Sequence, residues 1–299
     1  MRKLRRHVPV ALALILSSLS SSCSVFSGLF IRPRPIFRHG KPATAQQTLL
    51  VATRDELVGR VAKTYNSINS FQASVTMTPS VGSVYKGQIN EVADVRAFIL
   101  FRKPADIRIQ VQTPVVRTPY LDMVSNATDF RVYLISRNLF IEGLNSAPAT
   151  SKNRIENMRP AAFLSSMLIM PPEAQAETPV MTDLTDEDNA LYSLIFIRKQ
   201  PDGTLLAARE IWFDRLDLSI VRQMVYNDQV AIISDTKYAK WTEYGGVSFP
   251  AHIEIQRPID GYGVVMDLDQ MQMNKAITDD KFILARPEGS TLQEIGAPK

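Results

Sequence analysis

The chain has 299 residues, 45% of them hydrophobic and 21% charged, with 34 Lys+Arg against 30 Asp+Glu and a single cysteine. This is a globular composition, long enough for one large domain or two small ones, and one cysteine excludes an intramolecular disulfide, so core burial must hold the fold. Arg2, Lys3, Arg5 and Arg6 all precede Cys23, where no acidic residue occurs, so the remainder balances at 30 against 30 and the basic pI of about 9.1 gives no case for nucleic-acid binding.

At the N-terminus the four cations are followed by an apolar run from Val8 to Leu16. The run is far short of the ~20 residues a bilayer span needs. With the small-residue stretch Ser17–Ser22 that follows, it reads as an export signal over residues 1–22. Cys23 resembles the lipid-modified cysteine of bacterial lipoproteins, where cleavage precedes the cysteine and acyl chains such as palmitate are attached. Ser20 stands where that motif usually has leucine, with Leu19 one step further out. Residues 23–49, with Arg32-Pro33-Arg34-Pro35 and no periodicity, read as a lipidated tether.

A helix signal comes next. Thr53-Arg54-Asp55-Glu56 fits a capping box, and Leu57, Val61, Tyr65 and Ile68 follow at helical spacing. From Phe71 the period becomes two. Phe71, Ala73, Val75 and Met77 alternate with polar residues, as do Ile107, Ile109 and Val111, and Phe130, Val132 and Leu134. Further strand runs fall at 83–92, 96–102, 139–142, 191–198, 209–216, 220–226, 230–238, 248–257 and 263–273. The last run slips phase after Leu268, which predicts a bulge near Asp269.

Pro160–Met170 is a second helical segment, stopped by Pro171-Pro172, with Phe163, Met167 and Met170 on one side. Residues 173–189 read as a solvated acidic loop and 285–299 as a polar C-terminal tail. The pattern predicts a mainly β (α+β) domain over residues 50–284: a large curved antiparallel sheet, an open half-barrel with helices covering its concave face. Whether the hollow is an apolar cavity or a packed core stays open.

The inventory for catalysis is thin. After the leader only His39 and His252 remain, and His252 is expected on the solvent face of its strand beside Glu254. No metal-ligand motif, nucleophile elbow or phosphate-binding glycine loop occurs, so no catalytic residue, metal or cofactor is expected. Asp267 and Asp269 read as a solvated pair. Methionines at 77, 123, 158, 167, 170, 266, 271 and 273 are either core filler or a soft lining for variable apolar ligands.

Three stretches carry a family resemblance. Phe71-Gln72-Ala73-Ser74-Val75 after an amphipathic helix, Phe98–Ile109 with its Arg102-Lys103-Pro104, and the Met123–Tyr133 hairpin are similar to motifs of the LolA/LolB-like lipoprotein carrier and acceptor family. Ala127 stands where that family's turn has glycine. The resemblance implies an open, incomplete antiparallel barrel able to take acyl chains, with Pro160–Pro172 as its lid and Arg102 and Arg108 as the matching lid-holding arginines. Ligand-lining positions would then be Val75, Met77, Leu100, Ile107, Ile109 and Val132 on strands, with Phe163, Met167 and Met170 on the lid.

Two readings follow. The first is a lipid-anchored, periplasm-facing outer-membrane protein that binds acyl chains of lipids or lipoproteins; Ser24 lacks the aspartate that retains such proteins at the inner membrane in enterobacteria. The second is a structural or assembly lipoprotein of the cell envelope that binds protein partners. A hydrolase would need a nucleophile–base pair that the histidine count nearly forbids.

Overall fold

The computed structural model describes residues 48–83, 85, 87–114, 116–147, 158–173 and 175–296. The expected signal, Cys23, His39 and the expected tether up to residue 47 lie outside these. In chain order the described elements are α1 (Arg54–Ser67), β1 (Ser70–Ser83), β2 (Gln88–Glu91), β3 (Val95–Arg102), β4 (Asp106–Gln112), β5 (Pro119–Ser125), β6 (Asp129–Leu134), β7 (Leu139–Leu144), α2 (Pro160–Met167), β8 (Glu177–Asp183), β9 (Leu191–Lys199), β10 (Leu205–Asp214), β11 (Ile220–Tyr226), β12 (Ile232–Tyr244), β13 (Val247–Arg257), β14 (Tyr262–Met273) and β15 (Thr291–Ile295).

α1 starts where its cap predicts. The Thr53 hydroxyl accepts from the Glu56 amide at 3.3 Å, and the Glu56 carboxylate accepts from the Thr53 amide at 2.6 Å. Two otherwise orphaned donors are thereby satisfied. Leu57 and Val61 are fully buried, and Ile68, extended, ends the helix.

The strands form one open, curved sheet of 15 strands in the order β15-β7-β6-β5-β4-β3-β1-β14-β13-β12-β11-β10-β9-β8, with β2 paired to β1. Chain neighbours pair along two meanders, β3–β7 and β8–β14, and both meet the long first strand β1. The bulge predicted near Asp269 is present. Ser74 faces Gln270 and Val75 faces Leu268, so Asp269 is the extra residue. It restores the inward phase of Met271 and Met273 relative to β1.

Strand alternation sends one side chain in two to a common inner face. Ala97, Ile99 and Phe101 on β3, Ile107 and Ile109 on β4, Val132 on β6, Phe196 on β9 and Ile253 on β13 share one hydrophobic cluster with Leu57 and Val61 of α1 and Phe163 and Met167 of α2. Burial of one face of both meanders in one cluster is the driving force for the curvature. No helix among the described residues is long and apolar enough to cross a membrane.

Two segments differ from the sequence reading. Residues 177–183, expected within a loop, form the edge strand β8 on β9. Pro179 and the polar Thr178 and Thr182 hide the pattern, and an edge tolerates the missing proline N–H. Within the expected tail, Thr291–Ile295 pairs parallel to β7 as the opposite edge. Leu292 packs with Val124, Phe140 and Leu284 while Ile295 packs on the main cluster. These two residues are three apart and serve opposite faces, so no period of two was visible.

Candidate functional site

The inner face is where the expected lining residues converge. Val75, Met77, Ile107, Ile109, Val132, Phe163 and Met167 are all buried in the main cluster. Leu100 is not among them. It lies one step out of phase with Ile99 and Phe101, on the outer face, opposite Arg108 and Gln72. Met170 is also elsewhere: α2 ends at Met167, so Met170 leaves the helical face and is 49% exposed. Both positions are therefore corrected.

Arg102 and Arg108 are corrected as well. They stand on the outer face and hold the C-terminal segment rather than α2. Arg102 donates to the Asp106 carboxylate at 2.7 Å, to Asp279 at 2.6 Å and to the Ile277 carbonyl at 2.9 Å. Arg108 forks onto Asp122 at 3.0 and 2.6 Å and donates to the Lys281 carbonyl at 2.9 Å. Strand parity decides this, because their neighbours Phe101, Ile107 and Ile109 already take the inner face.

The groups that do fasten α2 come from the β8–β14 meander. The buried Tyr238 hydroxyl donates to the Ser166 carbonyl at 2.8 Å, and the Ser166 and Ser234 hydroxyls lie 3.4 Å apart. Burial pushes the Tyr238 phenol above its ordinary pKa, so it stays a donor. Beyond the helix, Arg209 donates to the Met170 carbonyl at 2.5 Å and to Glu177 at 2.8 Å, while its guanidinium sits 4.2 Å from the Phe196 ring centroid. Glu177 and Arg209 are only 7% and 10% exposed at the side chain. At the other end Arg159 lies over Phe130 at 4.4 Å but gives α2 no side-chain cap. Sequence reasoning missed Arg209, Tyr238 and Ser234. The available signal was phase: Arg209 alternates with Ile211 and Phe213, and Ser234 and Thr236 with Tyr238.

A crevice bounded by Tyr65, Ile68, Met167–Ile169, Trp241 and Phe249 has a free volume of about 10 Å³, roughly one water. Thr64 and Trp241 also border an outer cleft of about 420 Å³ that includes Arg60, Lys63 and Asp217.

The outer face carries the remaining polar residues. His252 is more enclosed than expected, its side chain 21% exposed, with Nδ1 at 2.8 Å from Asp267 and Nε2 at 3.4 Å from Glu254. Glu254 and then Asp267 hold its pKa above the ordinary histidine value against the effect of burial. Asp269 does not join Asp267; it accepts from Thr76 at 3.3 Å. The bulge separates the two carboxylates. Trp212 donates to Glu210 and Trp241 to the Ile220 carbonyl, so both indoles are structural. Among the described residues no cluster of three or more His, Cys, Asp or Glu has metal-site geometry.

No family model matches the sequence, and no curated protein matches it either. Solved structures do. A LolA superfamily protein from Nitrosomonas europaea matches with TM-score 0.51 at 13% identity, over 78% of this chain and 99% of that one. A DUF1329 family protein from Desulfovibrio piger matches with TM-score 0.50 at 14% identity, over 79% and 98%. The chain has a LolA/LolB-like fold. At these identities the likeness speaks for the backbone architecture.

Proposed function

We propose that the chain is a bacterial lipoprotein, anchored through Cys23 in the outer membrane and facing the periplasm, that binds acyl chains of lipids or lipoproteins on the inner face of its sheet. In this reading residues 1–22 are the signal, 23–49 the tether, and the described domain the binding module; it is a binding protein and no residue is assigned a catalytic role. The observation that carries the proposal is the burial of Phe163, Leu164 and Met167 of an eight-residue helix in the same cluster as the inward-facing strand residues. Apolar side chains from a short segment, without a side-chain cap and fastened at discrete polar points, occupy the space an acyl chain would take. A helix this short has little stability of its own and depends on that docking. Moving residues 158–173 as a lid would exchange one apolar filling for another.

The test uses delipidated protein carrying Cys23→Ser and a fluorescent fatty-acyl probe. Saturable uptake is expected. Ser166→Cys with Ser234→Cys in that background places two thiols where hydroxyls now lie 3.4 Å apart. Oxidation should then abolish uptake and reduction restore it. Absence of uptake by the unlocked protein overturns the acyl-chain reading. It would favour the second one, an assembly lipoprotein for envelope partners, for which the narrowness of the crevice beside α2 speaks. Mass spectrometry of the mature N-terminus tests the anchor, since an unmodified start at another residue removes it.

A further inference from the structure

One row of inward-facing residues breaks the apolar rule of the sheet. Leu194, Ile211, Gln223, Thr236, Ile255 and Val264 stand opposite one another across β9 to β14. Four are aliphatic core residues, and directly opposed residues on neighbouring strands point to the same face. Gln223 and Thr236 therefore point into the core, with 5% and 1% of their surfaces exposed. The Gln223 side-chain oxygen has no hydrogen-bond partner. An unpaired buried carbonyl is costly and rare, and a plain hydrocarbon site would not call for one.

The surroundings show what it faces. Ser234, Thr236 and Tyr238 follow at every second residue of β12, so they share the inner face with Gln223. The Ser234 and Thr236 hydroxyls are 3.5 Å apart, a long contact, and Ser234 reaches Ser166 at 3.4 Å. The Tyr238 hydroxyl donates to the Ser166 carbonyl at 2.8 Å, and the Ser166 hydroxyl to the Ala162 carbonyl at 3.1 Å. With α2 in place each hydroxyl has a contact, and the Gln223 oxygen alone in this cluster has none. With α2 displaced the cluster exposes one strong acceptor, Gln223 Oε1, beside three hydroxyl donors at the floor of an otherwise apolar face.

We infer that this cluster is a binding subsite for the amide of an N-acyl chain, with Gln223 accepting from the amide N–H and the hydroxyls of Thr236 and Tyr238 donating to its carbonyl. The inference rests on the acyl-chain reading above and adds the linkage that the site selects. An ester of the same length offers a carbonyl but no donor and leaves Gln223 unpaired. A hydrocarbon satisfies neither side. Discrimination of this kind follows from leaving a buried polar group unmatched, which outweighs the difference of one methylene.

The experiment displaces a bound fluorescent acyl probe from the Cys23→Ser protein with N-methyldodecanamide, methyl dodecanoate or tridecane. The amide should compete at least about tenfold more strongly than the ester. Gln223→Met and, separately, Thr236→Val should each bring that ratio close to one while the ester's own affinity holds, and both variants should melt cooperatively. Equal competition by amide and ester overturns the subsite while leaving acyl-chain binding intact. A ratio that survives both substitutions also overturns it, as the signature of polar core groups satisfied by water. Failure of the reporter probe itself to bind overturns the acyl-chain reading and the subsite together.

Discussion

The two wings of the sheet bury the same kind of face by different means. On the β3–β6 side the inner face is apolar apart from the buried Ser125 opposite Ile107, with Ile99, Phe101, Ile107, Ile109, Met123 and Val132 all buried in the main cluster. On the β8–β14 side, Leu194, Phe196, Ile211 and Phe213 are interleaved with Arg209, Gln223, Ser234, Thr236 and Tyr238. The first wing meets α2 through apolar area, which is non-directional, and through the Phe130 ring under Arg159. The second adds hydrogen bonds to named backbone carbonyls, Ser166 and Met170, which fix where the segment sits. A face meant only to be filled would resemble the first wing. The presence of the second suggests that the position of α2 matters as well as its burial.

The largest test of this contrast is on the apolar wing. Phe101→Ala removes a fully buried ring that packs 5.1 Å from Phe71, and should lower stability by about 3–5 kcal/mol in urea titration. The effect is global, so amide exchange should accelerate throughout the described core. On the polar wing, Arg209→Met leaves the buried Glu177 carboxylate with only the longer 3.7 Å contact to Arg198 among its cations and should cost about 3 kcal/mol. Adding Glu177→Met should recover most of it, since two apolar side chains replace a buried pair without an orphan charge. A double variant as unstable as the single would show that packing, not charge, sets the role of Arg209.

Smaller effects separate fastening from stability. Tyr238→Phe removes one hydrogen bond to Ser166 and should cost about 1 kcal/mol. Its distinguishing readout is local: faster hydrogen exchange and faster acyl-probe uptake over residues 158–173, with the β3–β6 wing unchanged. Uniform acceleration would erase the contrast between the wings. The smallest effect belongs to the outer face. His252 titrates above the unfolded histidine value of about 6.5, because Glu254 and Asp267 favour its charged form. Its contribution is therefore complete below that pH and is lost as pH rises through the folded value. The wild-type melting temperature should fall more steeply than that of His252→Gln as the pH is raised from about 6 to about 9. Parallel profiles would remove the histidine from the account.

Much of the frame was legible in local pattern. The α1 cap, the alternation of β1, β4 and β6, and the slip after Leu268 each encode their structure within a dozen residues. β8 and β15 were hidden because an edge strand buries too little on either side to impose alternation. The burial of Val75, Met77, Ile107, Ile109, Val132, Phe163 and Met167 in the core could be read from phase. Leu100 and Met170 failed because a hydrophobic residue does not declare which side of its strand, or which end of its helix, it will serve.

The sequence by itself determined the class of element at each point, because period and capping act through neighbours a few residues apart. It also determined the charge balance of the chain after Cys23. Only the tertiary structure decided that the last long strand closes on the first, that Arg102 and Arg108 hold the C-terminal segment, and that Gln223, Thr236 and Tyr238 meet Ser166. Those outcomes depend on register between strands far apart in the chain. Each Gln, Ser or Thr looks alike in sequence until pairing assigns it to the core or to water.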